Sequence, residues 1–431
     1  MKIAIHTLGC KVNQSDSQSI QEMFVQAGCE AVSPEDEADV YIINTCVVTD
    51  AGQKKSKQQI NHFAATRPNS LLVVTGCYPQ TAEQDVKAIK GVDLIVGNQD
   101  RANIVKIVLE QVQQRQPEQV NLVRDIFSNK EFEQLPIGLA DKTRAFLKIQ
   151  EGCNQFCSYC IIPYARGHLR SRSLADITAQ TKLLTQKGFK EVVLLGIHLG
   201  AYGKETGAGI TLYDAVKAAL AVPELPRLRL GSLECIEIDD RLLELIVSEP
   251  RMTKHLHLPL QSGSDAVLRA MNRPYTAEQF KALVDKIRSQ VPDIAITTDV
   301  IVGFPGETDE YFAETRAFCK ELSFANIHVF PFSKRKGTPA ENMPDQITKR
   351  QKVDRADTMR KLKGSAQKKF LRQLIGQSQQ VLIEYIKDGM YSGYTSNYAR
   401  IYVQSDQDIK NTIVDVRPIS IYEDGLLAEI I

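Results

Sequence analysis

The chain reads as an α/β protein in three parts: a parallel-sheet amino-terminal domain, a partial (β/α)6 barrel, and a small antiparallel β-barrel at the carboxyl end. Three observations predict this. Apolar runs that end in cysteine recur, with helix-like segments between them, over residues 1–116. Six further apolar runs alternate with helix-like segments as far as Phe330. The last stretch changes character to short runs divided by polar turns. Strands that alternate with helices pair in parallel through right-handed crossovers, whereas short strands divided by turns pair as neighbours.

In order, Ile3–Leu8, Val40–Thr45 and Leu71–Thr75 are the runs of the first domain, closing on Cys10, Cys46 and Cys77. A parallel sheet puts the carboxyl ends of its strands on one edge, where ligands bind. The three cysteines, distant in sequence, are therefore expected to converge. A connector rich in Gln and Glu (111–135) follows. The second domain, 139–369, holds the runs Ala145–Ile149, Glu191–Leu195, Arg227–Leu230, His255–Leu258, Ala295–Val302 and Asn326–Phe330. Its working face is expected at the carboxyl ends of those strands. The third domain, 371–431, contains QQVLIEYI, ARIYVQ and IVDVRPISIY, a pattern suited to a small barrel.

Composition narrows the class. With 431 residues, 43% hydrophobic and 24% charged, the chain is a globular protein of two or three domains. No run suits a bilayer span and MKIAIHTLGCKVNQSD lacks the form of a signal peptide, so no membrane partner and a cytoplasmic location are expected. Nine cysteines in a reducing compartment read as metal ligands or buried apolar residues rather than disulfides.

The chemistry lies in Cys153-Asn154-Gln155-Phe156-Cys157-Ser158-Tyr159-Cys160. Three thiolates in so short a loop hold a metal site and leave a coordination position free. Structural zinc sites take four closed ligands, commonly two Cys-x-x-Cys pairs, and no second pair follows here. Iron–sulfur clusters are the other user of such spacing. Cys10, Cys46 and Cys77 form a second candidate set, while Cys29, Cys235 and Cys319 stand singly within apolar patterns and read as core residues.

The Cys-x-x-x-Cys-x-x-Cys spacing after an apolar strand resembles the radical S-adenosylmethionine (SAM) enzymes, and two three-cysteine sets in one chain resemble their methylthiotransferase branch. TLGCKVNQSDSQ, INTCVVTDAG and VTGCYPQ look most like the subgroup that modifies threonylcarbamoyladenosine in tRNA (the MtaB type), Lys11 and Val12 being the main reason. The resemblance implies two [4Fe–4S] clusters with SAM as cofactor. In that family the cluster on Cys153, Cys157 and Cys160 cleaves one SAM to a 5′-deoxyadenosyl radical. The cluster on Cys10, Cys46 and Cys77 carries sulfur, methylated by a second SAM, for insertion at carbon 2 of the adenine. It also implies a tRNA substrate, an external electron donor, and a TRAM module at the carboxyl end. No motif specifies an oligomeric state. Within the branch, isopentenyladenosine of tRNA and a ribosomal protein are the alternative substrates. Outside it stands a non-catalytic iron–sulfur protein that binds RNA or relays electrons.

Further candidates follow from the same resemblance. Gly196, in the turn Leu195–His198, would present backbone to the SAM amino group, and Glu234 would meet the ribose hydroxyls. Arg166, Arg170 and Arg172 flank the cysteine loop, with Arg166 the candidate for the SAM carboxylate. His168 is the nearest possible extra ligand. For RNA, Gln346–Arg372 carries ten Lys or Arg against two Asp, and Lys334, Arg335 and Lys336 add to that charge. Tyr391, Tyr394, Tyr398 and Tyr402 are candidate stacking platforms, although their segment counts four Lys or Arg against eight Asp or Glu.

Overall fold

The computed structural model describes residues 1–138 and 143–431. Six parallel strands form the first sheet: β1 (Lys2–Thr7), β2 (Glu30–Val32), β3 (Val40–Thr45), β4 (Leu71–Gly76), β5 (Leu94–Ile95) and β6 (Val120–Asn121), in the order β2-β1-β3-β4-β5-β6. β3 and β4 are buried along their whole length, because helices cover both faces. Tyr41, Ile43 and Val74 pack with Phe63 on one side, and Ile42 and Val73 with Ile20 and Phe24 on the other. The sheet runs past the boundary expected at residue 116, since β6 lies inside the stretch read as a connector. A two-residue strand is too short to show a periodicity. The expected start of the second domain, residue 139, lies outside the described residues.

The second unit contains β7 (Arg144–Lys148), β8 (Gln150–Glu151), β9 (Arg170–Ser171), β10 (Glu191–Leu195), β11 (Leu228–Leu230), β12 (His255–His257), β13 (Ala295–Val302) and β14 (Asn326–Pro331). β8 and β9 form a short antiparallel ribbon. The other six are parallel, in the triplets β7-β10-β11 and β12-β13-β14. Isolated bridges Leu228↔Met252 and Ser232↔His257 join the triplets into one open half-barrel. All six expected strands are present. Leu147, Val192, Leu194, Leu228, Leu256, Ile296 and Val300 share the core with the covering helices. By alternation along each strand, Arg144, Lys148, Glu191, Arg229, His255, His257, Thr297 and Asp299 project to the opposite, concave side. A polar concave face places function inside the half-barrel.

A long helix, Lys349–Leu374, then leads to a closed barrel of β15 (Gln379–Lys387), β16 (Met390–Thr395), β17 (Arg400–Val403), β18 (Ile413–Tyr422) and β19 (Gly425–Ile430), in the order β15-β16-β17-β19-β18. Its pairings are antiparallel except β17 with β19, which run parallel. The chain leaves β17 by a loop to β18, so the return strand β19 meets β17 in the same direction and closes the barrel. Among the described residues no helix is long and apolar enough to cross a membrane.

Candidate active site

Cys10, Cys46 and Cys77 directly follow or lie just past β1, β3 and β4, three neighbours in the sheet, and so meet at one edge. The approach is close. Gly9 has φ +105°, and a Cβ there would stand 2.8 Å from Cys46 Cβ and 3.0 Å from its Sγ. Gly76, before Cys77, has φ +96°, and its Cβ would fall 2.5 Å from Asn44 Oδ1. Both positions therefore require glycine. A polar web holds the three loops together. Asn13 Nδ2 donates to Leu8 O (2.8 Å) and Thr45 O (2.9 Å), Thr45 Oγ1 donates to Thr75 O (2.6 Å), and Ser56 Oγ accepts from Cys46 N (3.1 Å). Cys10 caps helix α1 (Lys11–Gln26) and is exposed, whereas Cys46 and Cys77 are buried.

Cys153, Cys157 and Cys160 occupy the loop after β8, at the carboxyl end of the half-barrel. Ser158 N donates to Met271 O (3.1 Å), Ser158 Oγ to Ala270 O (2.8 Å) and Asn272 Nδ2 to Phe156 O (3.1 Å). The segment 270–273 thus fixes the loop. Arg273 Nη1 donates to Cys157 Sγ at 3.2 Å, while its Nη2 ion-pairs with Glu234 and its Nε lies 3.1 Å from Tyr275 Oη. Sequence reasoning missed Arg273, because the loop it serves lies more than a hundred residues away.

The other triad also has an arginine near it. Burial raises the Cys77 thiol and the charge of Arg166 opposes that rise; Arg166, fully buried, pairs with Asp16 (2.7 Å) and Glu151 (3.2 Å) and donates to Asn13 Oδ1. The expectation that Arg166 meets the SAM carboxylate is corrected: its charge is drawn to the first triad by two buried carboxylates. Arg170 donates to Arg166 O (2.7 Å), and Arg172 pairs with Asp176. Glu234, expected at the ribose hydroxyls, keeps its place near the second triad but has Arg273 as its cation. The Gly196 turn rests on Gln150, whose Oε1 accepts from His198 N at 2.7 Å; a Cβ on Gly196 would meet that Oε1 at 2.8 Å. His198 Nδ1 lies 3.6 Å from Cys153 Sγ, with its Nε2 3.0 Å from Glu237. His168 is turned to Asn154 (3.1 Å) and Phe127 instead.

A buried ion network connects the two triads. Asp16 of α1 accepts from Arg101 (2.7 Å), Arg166 (2.7 Å) and Lys148, and Glu151 accepts from Lys148 (2.8 Å) and Arg101 (3.0 Å). Burial would raise the Asp16 carboxyl, yet Arg101, Lys148 and Arg166 together lower it to about 2. Asp16 follows Cys10 by six residues and Glu151 precedes Cys153 by two, so the network sets the position of one triad against the other.

The donor sets suit iron–sulfur clusters. Burial first, then the neighbouring thiols, pushes Cys160 up to about 12; burial dominates Cys46, at about 11. Such thiols stay protonated until a metal displaces the proton. Among the described residues the one set of three ligand atoms within 4.8 Å of one another is His257, Asp299 and His328. In neither cysteine triad, then, do all three sulfurs lie within that distance of one another, as the ~3.8 Å separations of a tetrahedral zinc with Zn–S ~2.3 Å would require. Cys29, Cys235 and Cys319 are buried in the cores.

For RNA, the structure separates three adjacent residues. Arg335 is buried and bonds Val47 O (3.2 Å) and Gln53 Oε1 (2.8 Å), binding the half-barrel to the first domain, which corrects its assignment to phosphate. Lys334 and Lys336 are exposed. On the long helix Arg355 pairs with Glu307 and Asp309 (both 2.7 Å), while Lys349, Arg350, Arg360, Lys361, Lys368, Lys369 and Arg372 are exposed. The tyrosines are engaged within the protein. Tyr394 and Tyr398 stack on each other at 4.8 Å beneath Arg144 and beside Arg229, Tyr391 is buried, and Tyr402 Oη donates to Asp424 (2.6 Å).

Residues 2–97 match the model of the uncharacterized protein family UPF0004, and residues 147–319 that of the radical SAM superfamily. The chain is 41% identical to the threonylcarbamoyladenosine tRNA methylthiotransferase MtaB of Bacillus subtilis, over 96% of this chain and 93% of that one. It is also 41% identical to the MtaB of Aquifex aeolicus, over 91% and 97%. Identity to the tRNA-2-methylthio-N(6)-dimethylallyladenosine synthase of Acetivibrio thermocellus is 32%, over 96% and 87%. In fold it is similar to the radical SAM methyltransferase TsrM of Kitasatospora setae (TM-score 0.59, 14% identity, 79% of this chain and 77% of that one). OxsB, a cobalamin-dependent SAM radical enzyme, gives TM-score 0.53 at 11% identity, covering 84% and 61%. Two cysteine triads at strand ends, a radical SAM half-barrel, and identity along almost the whole length place this chain in the MtaB branch of the radical SAM tRNA methylthiotransferase family.

Proposed function

We propose that this protein methylthiolates carbon 2 of threonylcarbamoyladenosine beside the anticodon of tRNA, in the cytoplasm, with electrons from an external donor. The observation that carries the reading is the pairing of two open thiol triads, held to one another by the Asp16–Glu151 network at the mouth of one polar half-barrel. Cys153, Cys157 and Cys160 hold one [4Fe–4S] cluster and Cys10, Cys46 and Cys77 the other. When bound, the first with SAM supplies a 5′-deoxyadenosyl radical and the second supplies sulfur. The chain's own groups do the positioning. Arg273 places an N–H on the sulfur of Cys157, the contact that tunes such sites, and Arg166 sets its charge near Cys77. The Gly196 turn, seated on Gln150, presents backbone to the SAM amino group. Lys334, Lys336 and the exposed cations of the long helix meet the RNA backbone.

Mass spectrometry of tRNA nucleosides from cells with and without the gene tests the substrate. Loss of the methylthio form of threonylcarbamoyladenosine is expected, restored by the wild-type gene but not by Cys157→Ala. Loss of methylthio-isopentenyladenosine instead would overturn the nucleoside. An unchanged profile would move the substrate to protein. Purified Cys157→Ala should form no 5′-deoxyadenosine yet keep the other cluster's iron.

A further inference from the structure

Inside the half-barrel, three side chains that belong to neither cysteine triad converge on one point. His257 ends β12, Asp299 lies in β13 and His328 in β14, three neighbouring parallel strands. Asp299 stands opposite His328 in the register, and His257 stands opposite Thr297, two residues before Asp299. Residues paired across a sheet share a face, as do residues two apart on one strand, so all three point to the concave side. The bridge Ser232↔His257 puts the group at the seam between the two strand triplets.

One ligand atom from each of the three lies within 4.8 Å of the other two, and His257 Nε2 stands 3.3 Å from Asp299 Oδ1. Ligands about 2.0–2.1 Å from a tetrahedral metal stand about 3.3–3.4 Å from one another, so that edge already has the dimensions of a metal site. His328 is exposed and can turn to close the remaining separation. Thr297 Oγ1 lies 2.9 Å from His257 Nδ1 and so leaves Nε2 as the nitrogen that faces the carboxylate. An outer contact of this kind orients a ligating imidazole. A metal ion displaces whatever proton lies between Nε2 and Oδ1, so the site needs no particular resting charge on His257. A plain ion pair accounts for His257 and Asp299 but not for a second imidazole against the same carboxylate. The His328 ring lies 5.6 Å from that of His257, and among the described residues its side chain has no hydrogen bond or ion pair.

We propose that His257, Asp299 and His328 bind one divalent first-row metal ion inside the half-barrel, with no ligand from either cysteine triad. Two imidazoles and one carboxylate are the donors of open zinc and iron(II) sites, and they contain no thiolate to hold an iron–sulfur cluster. Zinc binds nitrogen and oxygen donors more tightly than iron(II) does, which makes it the ion to test. Three protein ligands leave a position on the concave side, where water or another oxygen ligand completes the coordination. The site is independent of which nucleoside the protein modifies.

The test is zinc binding to the holoenzyme, both cysteine triads filled with iron and sulfide, by equilibrium dialysis without oxygen and with the metal counted by mass spectrometry. The wild type should hold one zinc per chain. X-ray absorption at the zinc edge should show nitrogen and oxygen neighbours at about 2.0–2.1 Å, the outer pattern of imidazole, and no sulfur at about 2.3 Å. His328→Ala removes an exposed ligand without touching the core and should end stoichiometric binding, as should Asp299→Asn. Thr297→Val keeps all three ligands but loses the contact to His257, and should weaken binding by about 10- to 100-fold. Iron content and circular dichroism equal to the wild type show that each variant is folded. Absence of zinc from the wild type, sulfur among its nearest neighbours, or equal binding by the wild type and His328→Ala would each overturn the inference.

Discussion

Asp16 is the point where removing one charge should loosen the contact between the two triads. Its carboxylate accepts from Arg101, Arg166 and Lys148 with almost no exposure. Asp16→Asn keeps the shape and an acceptor oxygen but leaves those three cations facing Glu151 and Glu133 alone. Two estimates bound the loss. The folded carboxyl titrates at about 2 against 3.8 unfolded, which is worth about 2.4 kcal/mol at neutral pH at ~1.36 kcal/mol per unit. Breaking a buried ion pair by removing one partner costs about 3–5 kcal/mol, and an asparagine that still accepts lies near the lower end. The sign follows from the depressed value: the stabilisation is full above about pH 4 and is lost as pH falls through the folded value near 2. At pH 7 the whole effect, about 2–4 kcal/mol, is present. Hydrogen exchange with mass spectrometry reads it locally and avoids irreversible unfolding. Amides of α1 and of β7 should lose protection by about 30- to 900-fold, while those of the closed barrel stay unchanged. Protection of α1 within threefold of wild type would refute the reasoning.

Charge at the RNA face separates residues that sequence groups together. Lys334→Ala with Lys336→Ala should weaken tRNA binding and make the dependence of log K on log salt shallower by about 1.4–1.8, two phosphate contacts' worth; an unchanged slope would remove both from the interface. Arg335→Gln should leave that slope alone and instead raise proteolytic sensitivity between the first domain and the half-barrel, since it loses Val47 and Gln53. At the other cluster, Arg273→Gln removes a charged N–H from Cys157 and the counter-charge of Glu234. The midpoint potential in an electron paramagnetic resonance titration should fall by about 60 mV, the one-electron equivalent of about 1.4 kcal/mol. A potential that rises or does not move would show that Arg273 does not act on the cluster.

Local chemistry made much of this protein legible before any fold was known. Runs such as VYIINT and LLVVTG are apolar because a doubly covered parallel sheet buries both faces, so they identify strands without reference to their neighbours. The six half-barrel strands were readable instead from apolar runs set between helix-like segments, and the spacing of Cys153, Cys157 and Cys160 is chemistry contained in eight residues. Convergence of Cys10, Cys46 and Cys77 followed from topology, because parallel strands share a carboxyl edge.

What only the tertiary structure decided is which partner each charge takes. Arg166 and Arg335 look like free cations in their own segments, but Asp16 and Glu151 capture the first, while Val47 and Gln53 capture the second, from far along the chain. Arg273 is invisible as a cluster neighbour until the fold carries it to Cys157. The physical reason is range. Backbone periodicity and ligand spacing act over a few residues and are written locally, whereas a long charged side chain takes whichever opposite charge the packed fold leaves within about 3 Å, and desolvation makes that choice binding.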